Sequence, residues 1–242
     1  MIRSMLRAPV LAAATALFAA TPALLAQDAS AVQDGRPTVA VMHFNNGATG
    51  RDNADLEPLR GGIADILISE LSANAAIRVI EREQLDALVR EQNLSSEKRV
   101  SAETAVRVGK LLGVHHMIFG GFVTVGKDRM RLDARAVNVE TGEIEHVESV
   151  RGTKDDFATM IESLAAKLNR GMKLPPMPRR TAEATAAPKP PFQVVMLYSR
   201  AIAEENAGRR DEAERLYRAA LAKFPDYEPA RKAADRLAKK GE

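Results

Sequence analysis

The sequence predicts an α/β protein with a small helical appendix, and three observations carry that reading. Short apolar runs of strand character alternate with segments whose leucines and isoleucines recur every three to four residues. Three β-rich segments joined by tight turn signals follow. Beyond a proline-rich stretch the chain becomes wholly helical. The fold class is α/β: a mixed sheet with covering helices in the order β-α-β-α-α-β-β-β-α, followed by a small all-α helical-repeat unit.

Residues 1–31 have the pattern of a secretory signal peptide: Arg3 and Arg7, an apolar stretch from Val10 to Ala20, and a small-residue region with cleavage candidates after Ala26 and Ala31. An uncleaved anchor is the rival reading, although Pro9, Thr15, Thr21 and Pro22 interrupt the stretch. Thr38–Asn46 reads as a buried strand and a loop, with 47–55 a polar loop rich in oxygen donors. Leu56, Leu59, Ile63, Leu67 and Leu71 mark the first helix, with Pro58 in its first turn. Ile77–Glu81 is a strand; Leu85, Leu88, Val89 and Leu94 mark a second helix, and Ser101 caps a third that Gly113 ends. The meander runs through 116–125, 130–139 and 144–150, and a helix over 155–169 closes the domain. Domain boundaries follow as 1–31 signal, 32–171 α/β domain, 172–191 proline- and alanine-rich extended linker, and 192–242 helical unit, with helices at 192–206, 211–224 and 228–240.

Composition narrows the chemistry. The 242 residues are 45% apolar and 28% charged, enough to bury one or two cores. There is no cysteine, which excludes disulfides, thiolate metal sites, cysteine nucleophiles and a lipidated N-terminal cysteine. Aromatic content is 4% with no Trp, an argument against base-stacking nucleic-acid platforms. Loss of residues 1–31 removes two basic and one acidic residue, leaving 33 against 31, a nearly neutral chain.

Two resemblances appear. Residues 192–225 resemble a tetratricopeptide repeat: Ala201, Gly208, Ala213, Tyr217, Ala220 and Pro225 fall on its packing positions, where small residues let paired helices approach. One repeat cannot bury a continuous core alone, so the unit is expected to lean on the first domain or on another chain. If its inner face is free, Val195, Tyr198 and Ile202 form a protein-binding surface. The stretches Val39–Phe44, Val79–Gln92, Leu111–Gly121 and Leu132–Glu143 resemble the CsgG family of curli production assembly/transport components. Glu81, Arg82, Glu91, Gln92, Gly113, Gly120 and Gly142 are the residues that match its motifs. The resemblance implies an α/β periplasmic domain, in a family whose best-known members form outer-membrane secretion rings with barrel hairpins and a lipidated cysteine. Here the turn at 126–129 leaves no room for barrel strands of ~9–11 residues each.

No catalytic motif is legible. His43, His115, His116 and His146 lie in or beside predicted strands, and neither a metal site, a cofactor nor a Ser-His-Asp arrangement is expected of them. Glu81 and Arg82 read as a strand-end ion pair, and Arg129, Arg131, Asp133 and Arg135 alternate with apolar residues as on a sheet with one wet face. The expected function is therefore that of an exported, periplasmic protein, outer-membrane-associated or free, acting in envelope biogenesis or curli-type polymer secretion by protein binding, without catalysis. Its partners would be envelope proteins or further copies of itself, not nucleic acid, with no membrane span once the signal is removed. The alternatives are a ring-forming secretion component and an unrecognised hydrolase, the latter needing His43, His116 or His146 to meet a carboxylate in a pocket.

Overall fold

The computed structural model describes residues 35–91 and 100–239. The signal reading, its cleavage candidates Ala26 and Ala31, and the positions Gln92 and Leu94 lie outside the described residues.

Strand β1 (Thr38–Val41) is buried along its whole length, so its alternating side chains feed two cores. Val39 and Val41 join one cluster, while Ala40 and the following Met42 join the other. Its neighbours are β3 (Arg78–Val79) and β4 (His116–Val125), both parallel to it. β4 continues antiparallel into β5 (Arg129–Asn138) and β6 (Ile144–Thr153), and the two-residue β2 (Asn45–Asn46) pairs with the middle of β4. The sheet has the order β3-β1-β4-β5-β6, with β2 off this path.

Helix α2 (Leu59–Ser72) and helix α5 (Phe157–Gly171) cover one face, and α3 (Arg82–Glu91) and α4 (Ala102–Leu112) cover part of the other. The expected polar loop at 47–55 instead contains a helix, α1 (Arg51–Leu56), which starts at Gly50 where φ is +64°. Ser101 caps α4 by accepting from Thr104 N, and Gly113 ends it at φ +64°. Gly120 faces β5 so closely that a Cβ there would lie 2.1 Å from the Asp133 carbonyl oxygen, and Gly142 turns the β5–β6 connection at φ +77°.

Between the domains the chain is not simply extended. Asn74 and Asn169, both buried, donate to the Pro175 carbonyl at 2.8 and 2.9 Å, and Arg180 meets Glu70 and Glu162 at 3.1 and 2.7 Å. A short helix, α6 (Ala182–Ala186), interrupts it before α7 (Phe192–Asn206), α8 (Arg210–Lys223) and α9 (Glu228–Lys239).

The repeat positions pack as expected of a helix pair: Ala201, Ala213, Tyr217 and Ala220 are fully buried, Gly208 turns at φ +77°, and Pro225 lies exposed between α8 and α9. The proposed recognition face is a different matter. Val195, Tyr198 and Ile202 are buried at 1%, 3% and 1% exposure, because α7 lies along α2. Their face is closed by α2 and, at Tyr198, by Tyr217 and Tyr227 of the unit itself, which corrects the expectation of a free protein-binding surface and agrees with the other expectation, that the unit leans on the first domain.

Candidate binding site at the domain junction

The junction is built around one buried cation. Arg82, at the start of α3, is 2% exposed, and an ion so far from water needs every donor matched. Its Nε donates to Asp65 of α2 at 3.0 Å and its Nη1 to Asp86 and Asn206 at 3.1 and 2.9 Å. Its Nη2 reaches Glu83 at 2.8 Å and Glu205 at 3.5 Å. Asn206 and Glu205 belong to α7, so the guanidinium spans both domains. The network extends outward: Tyr198 donates to Asp65, Tyr217 to Glu205 at 2.9 Å, and Arg236 of α9 to Glu205 at 2.5 and 3.1 Å and Glu83 at 2.9 Å.

Charge states follow from these surroundings. Burial pushes the Asp65 carboxyl up, against the opposing pull of Arg82 and the Tyr198 hydroxyl. Burial acts on Asp86 in the same direction, yet the hydrogen bond and charge of His43, with Arg82 and Asn206, hold it below its ordinary value. Glu205 is likewise desolvated, and Arg236, Tyr217 and Arg82 together hold it down. Burial beside carboxylates drives the Tyr198 and Tyr217 hydroxyls upward, so both are neutral donors.

Beside this network lies a cavity of about 390 Å³, lined by Met42 and His43 past β1, Leu85, Asp86, Val89 and Arg90 of α3, Arg60, Val100, Thr104 and Asn206. It opens at the carboxyl end of β1, where one connection leaves over one face of the sheet through α2 and the next returns over the other through α3 and α4. Such divergence points are the usual ligand crevices of open α/β sheets. His43 Nε2 lies 3.0 Å from Asp86 Oδ1. This is the meeting of a histidine and a carboxylate in a pocket that the sequence reading did not expect. Among the described residues the lining holds no serine, and the Thr104 hydroxyl lies 3.1 Å from Ser101 Oγ. The arrangement presents two arginines, an oriented imidazole and an apolar wall, a set suited to holding a polar group with an apolar tail.

The other candidates are dispersed. Glu81 is exposed and its carbonyl accepts from Gln84 and Leu85 at the start of α3, so the predicted Glu81–Arg82 pair is replaced by Arg82 at the centre of the junction. Glu91 is exposed at the end of α3. His115 Nδ1 lies 2.7 Å from Thr38 Oγ1, His116 Nδ1 2.5 Å from Glu145, and His146 Nε2 3.5 Å from Glu148. Among the described residues no three His, Asp or Glu side chains are grouped to hold a metal ion. In the loop after β1, Asn45 exchanges bonds with the Val100 backbone at 3.1 and 3.0 Å and Asn46 binds Asn53 and Glu57, so its polar atoms hold the chain itself.

Asp65, Glu205, Asn206 and Arg236 were not singled out by the sequence. Two signals were there to be read. Arg82 and Asp86 stand at i,i+4. Gly61-Gly62 lies inside a helix, and a Cβ on Gly62 would be 1.9 Å from Ser199 Oγ, which shows why α7 can approach α2.

The model of the family described as curli production assembly/transport component CsgG matches residues 20–127, and a tetratricopeptide repeat model matches residues 194–238. The chain resembles the CsgG family over a little less than half its length and a tetratricopeptide repeat near its C-terminal end. The CsgG match ends at the β4–β5 turn, while the sheet continues through β6. No curated protein matches the sequence. Among solved structures, the C-terminal domain of LpoB from Salmonella enterica is similar at 16% identity, covering 49% of this chain and 86% of that one with a TM-score of 0.34. Lipoprotein GNA1162 from Neisseria meningitidis is similar at 13% identity, with 57% and 99% coverage and a TM-score of 0.40. The PelC dodecamer from Paraburkholderia phytofirmans is similar at 15% identity, with 56% and 88% coverage and a TM-score of 0.34.

Proposed function

We propose that this chain is an exported envelope protein, periplasmic or held at the outer membrane, that serves envelope assembly or surface-polymer secretion by binding other proteins and not by catalysis. The observation that carries the reading is the junction. A CsgG domain and a tetratricopeptide repeat, both binding modules in this reading, are joined through Arg82 into one surface instead of two tethered ones. The cavity at His43 and Asp86 supports binding, with an imidazole held by a carboxylate beside an apolar wall of Met42, Leu85, Val89 and Val100. Among the described residues no helix is long and apolar enough to cross a membrane.

The test joins export to residue roles. The chain fused at its C-terminus to alkaline phosphatase, which is active only after export, is expected to give activity in a Gram-negative host; an inactive, stable fusion contradicts the envelope assignment. In a deletion strain, His43→Gln is expected to weaken rescue of the envelope phenotype together with the chain's cross-linking to envelope proteins, because the imidazole lines the binding cavity. Loss of rescue by a folded His43→Gln chain whose cross-linked partners are unchanged would contradict binding and favour catalysis at the pocket.

A further inference from the structure

Among the described residues, the far half of the sheet has one face that no helix covers. Helices α3 and α4 cover Met117, Phe119, Val137 and Val139, but past them the same face carries Val123 and Val125 on β4, Arg129, Arg131, Asp133 and Arg135 on β5, and Val147, Ser149 and Arg151 on β6. The outer edge of β6 is unpaired among the described residues.

Four arginines and one aspartate share this face in a chain whose total charge is nearly balanced. Asp133 is taken by Arg131 at 2.8 Å. Arg129, Arg135 and Arg151 are exposed and have no carboxylate partner among the described residues. Arg131 stands directly opposite Arg151 in the β5–β6 register, a like-charge pairing that weakens a sheet. Three of the four exposed large aliphatic side chains among the described residues, Val125 at 58%, Val147 at 58% and Ile144 at 47%, lie on these strands. From Arg129 to Arg135 the patch runs about 20 Å along the strand and about 10 Å across three strands.

We propose that this arginine and valine face docks on an anionic phospholipid bilayer, the guanidinium groups meeting headgroup phosphates and the aliphatic side chains entering the interface. Charge complementarity selects a polyanion, and the exposed aliphatics select a bilayer over a soluble one, which would offer them no apolar region. No exposed aromatic side chain lies on the face to stack on sugars or bases, which disfavours polysaccharide and nucleic acid. The inference goes beyond the proposed function, and it stands or falls in vitro whether or not the chain is exported.

The test is co-sedimentation of the purified full chain with vesicles of phosphatidylglycerol and phosphatidylcholine in equal parts, against phosphatidylcholine alone. Because residues 1–31 are themselves apolar and basic, the reading rests on variants in the same chain. Removing Arg129 and Arg151 together (Arg129→Gln with Arg151→Gln) is expected to lower affinity for the anionic vesicles about 25-fold, about fivefold per arginine. Arg215→Gln with Arg218→Gln on α8, the same change of charge elsewhere, is expected to leave it within twofold. Val125→Ser with Val147→Ser is expected to lower it severalfold, with circular dichroism confirming the fold of each variant. Equal losses from the two arginine pairs, or no loss from either, would overturn the proposal. So would unchanged binding by the valine variant, and so would arginine-dependent binding to polyglutamate without binding to vesicles, which would assign the face to an acidic protein segment.

Discussion

Arg82 shows how one side chain can fix a whole arrangement. A buried guanidinium without partners would be costly, and here five acceptors on α2, α3 and α7 surround it, so its burial is conditional on the helical unit being in place. Arg82→Ala leaves Asp65, Asp86 and Glu83 facing one another and is expected to cost about 3–5 kcal/mol in urea unfolding. Arg82→Lys keeps the charge but loses the fork, and its loss is expected to be smaller. Acid acts on the same cluster. Asp86 and Glu205 are held below their ordinary values, so the stability they contribute is present above those values and lost as pH falls through the folded ones. Asp65 is raised, so its protonation favours the fold and partly offsets that loss. Unfolding midpoints measured from pH 7 to pH 3 are expected to fall below about pH 4.5, the ordinary glutamate value. Glu205→Gln is expected to start lower and fall less.

At the scale of elements, α2 explains most of the difference between the sequence reading and the structure. Its leucines at 59, 67 and 71 with Ile63 made a legible stripe facing the sheet. Ile66, Ile68 and the Gly61-Gly62 pair make a second buried side, leaving a polar strip on which Ser69 and Ser72 are exposed, and so wide an apolar face needs a cover besides the sheet. Gly62→Ala is expected to force α7 outward against Ser199 and lower stability by about 1–3 kcal/mol in the same urea titration. Most of the element order along the chain, the meander and the three terminal helices were readable because period and turn chemistry are local. Ser101 and Gly113 marked α4 for the same reason. The junction was not readable, because Asp65, Arg82 and Glu205 are far apart in sequence and meet only once α7 lies on α2. Tyr198 illustrates the ambiguity: its helical position on the repeat's inner face was correct, but position alone does not say whether a partner or the chain itself covers that face.

For the whole molecule, the consequence is a tetratricopeptide-like unit used as a fixed extension of the CsgG-like α/β domain. The linker contributes through Asn74, Asn169 and Arg180, so proline content here marks a strap and not a free tether. A fixed unit presents its remaining helix surfaces and the open sheet face in one constant geometry. The absence of cysteine allows a direct measurement. Spin labels on a Lys110→Cys, Lys223→Cys chain, one on α4 and one on α8, report the distance between the domains by double electron–electron resonance. A single narrow distance that persists at high salt is the predicted result. A broad distribution at neutral pH, collapsing to no preferred distance, would contradict the claim that Arg82 joins the two domains into one body.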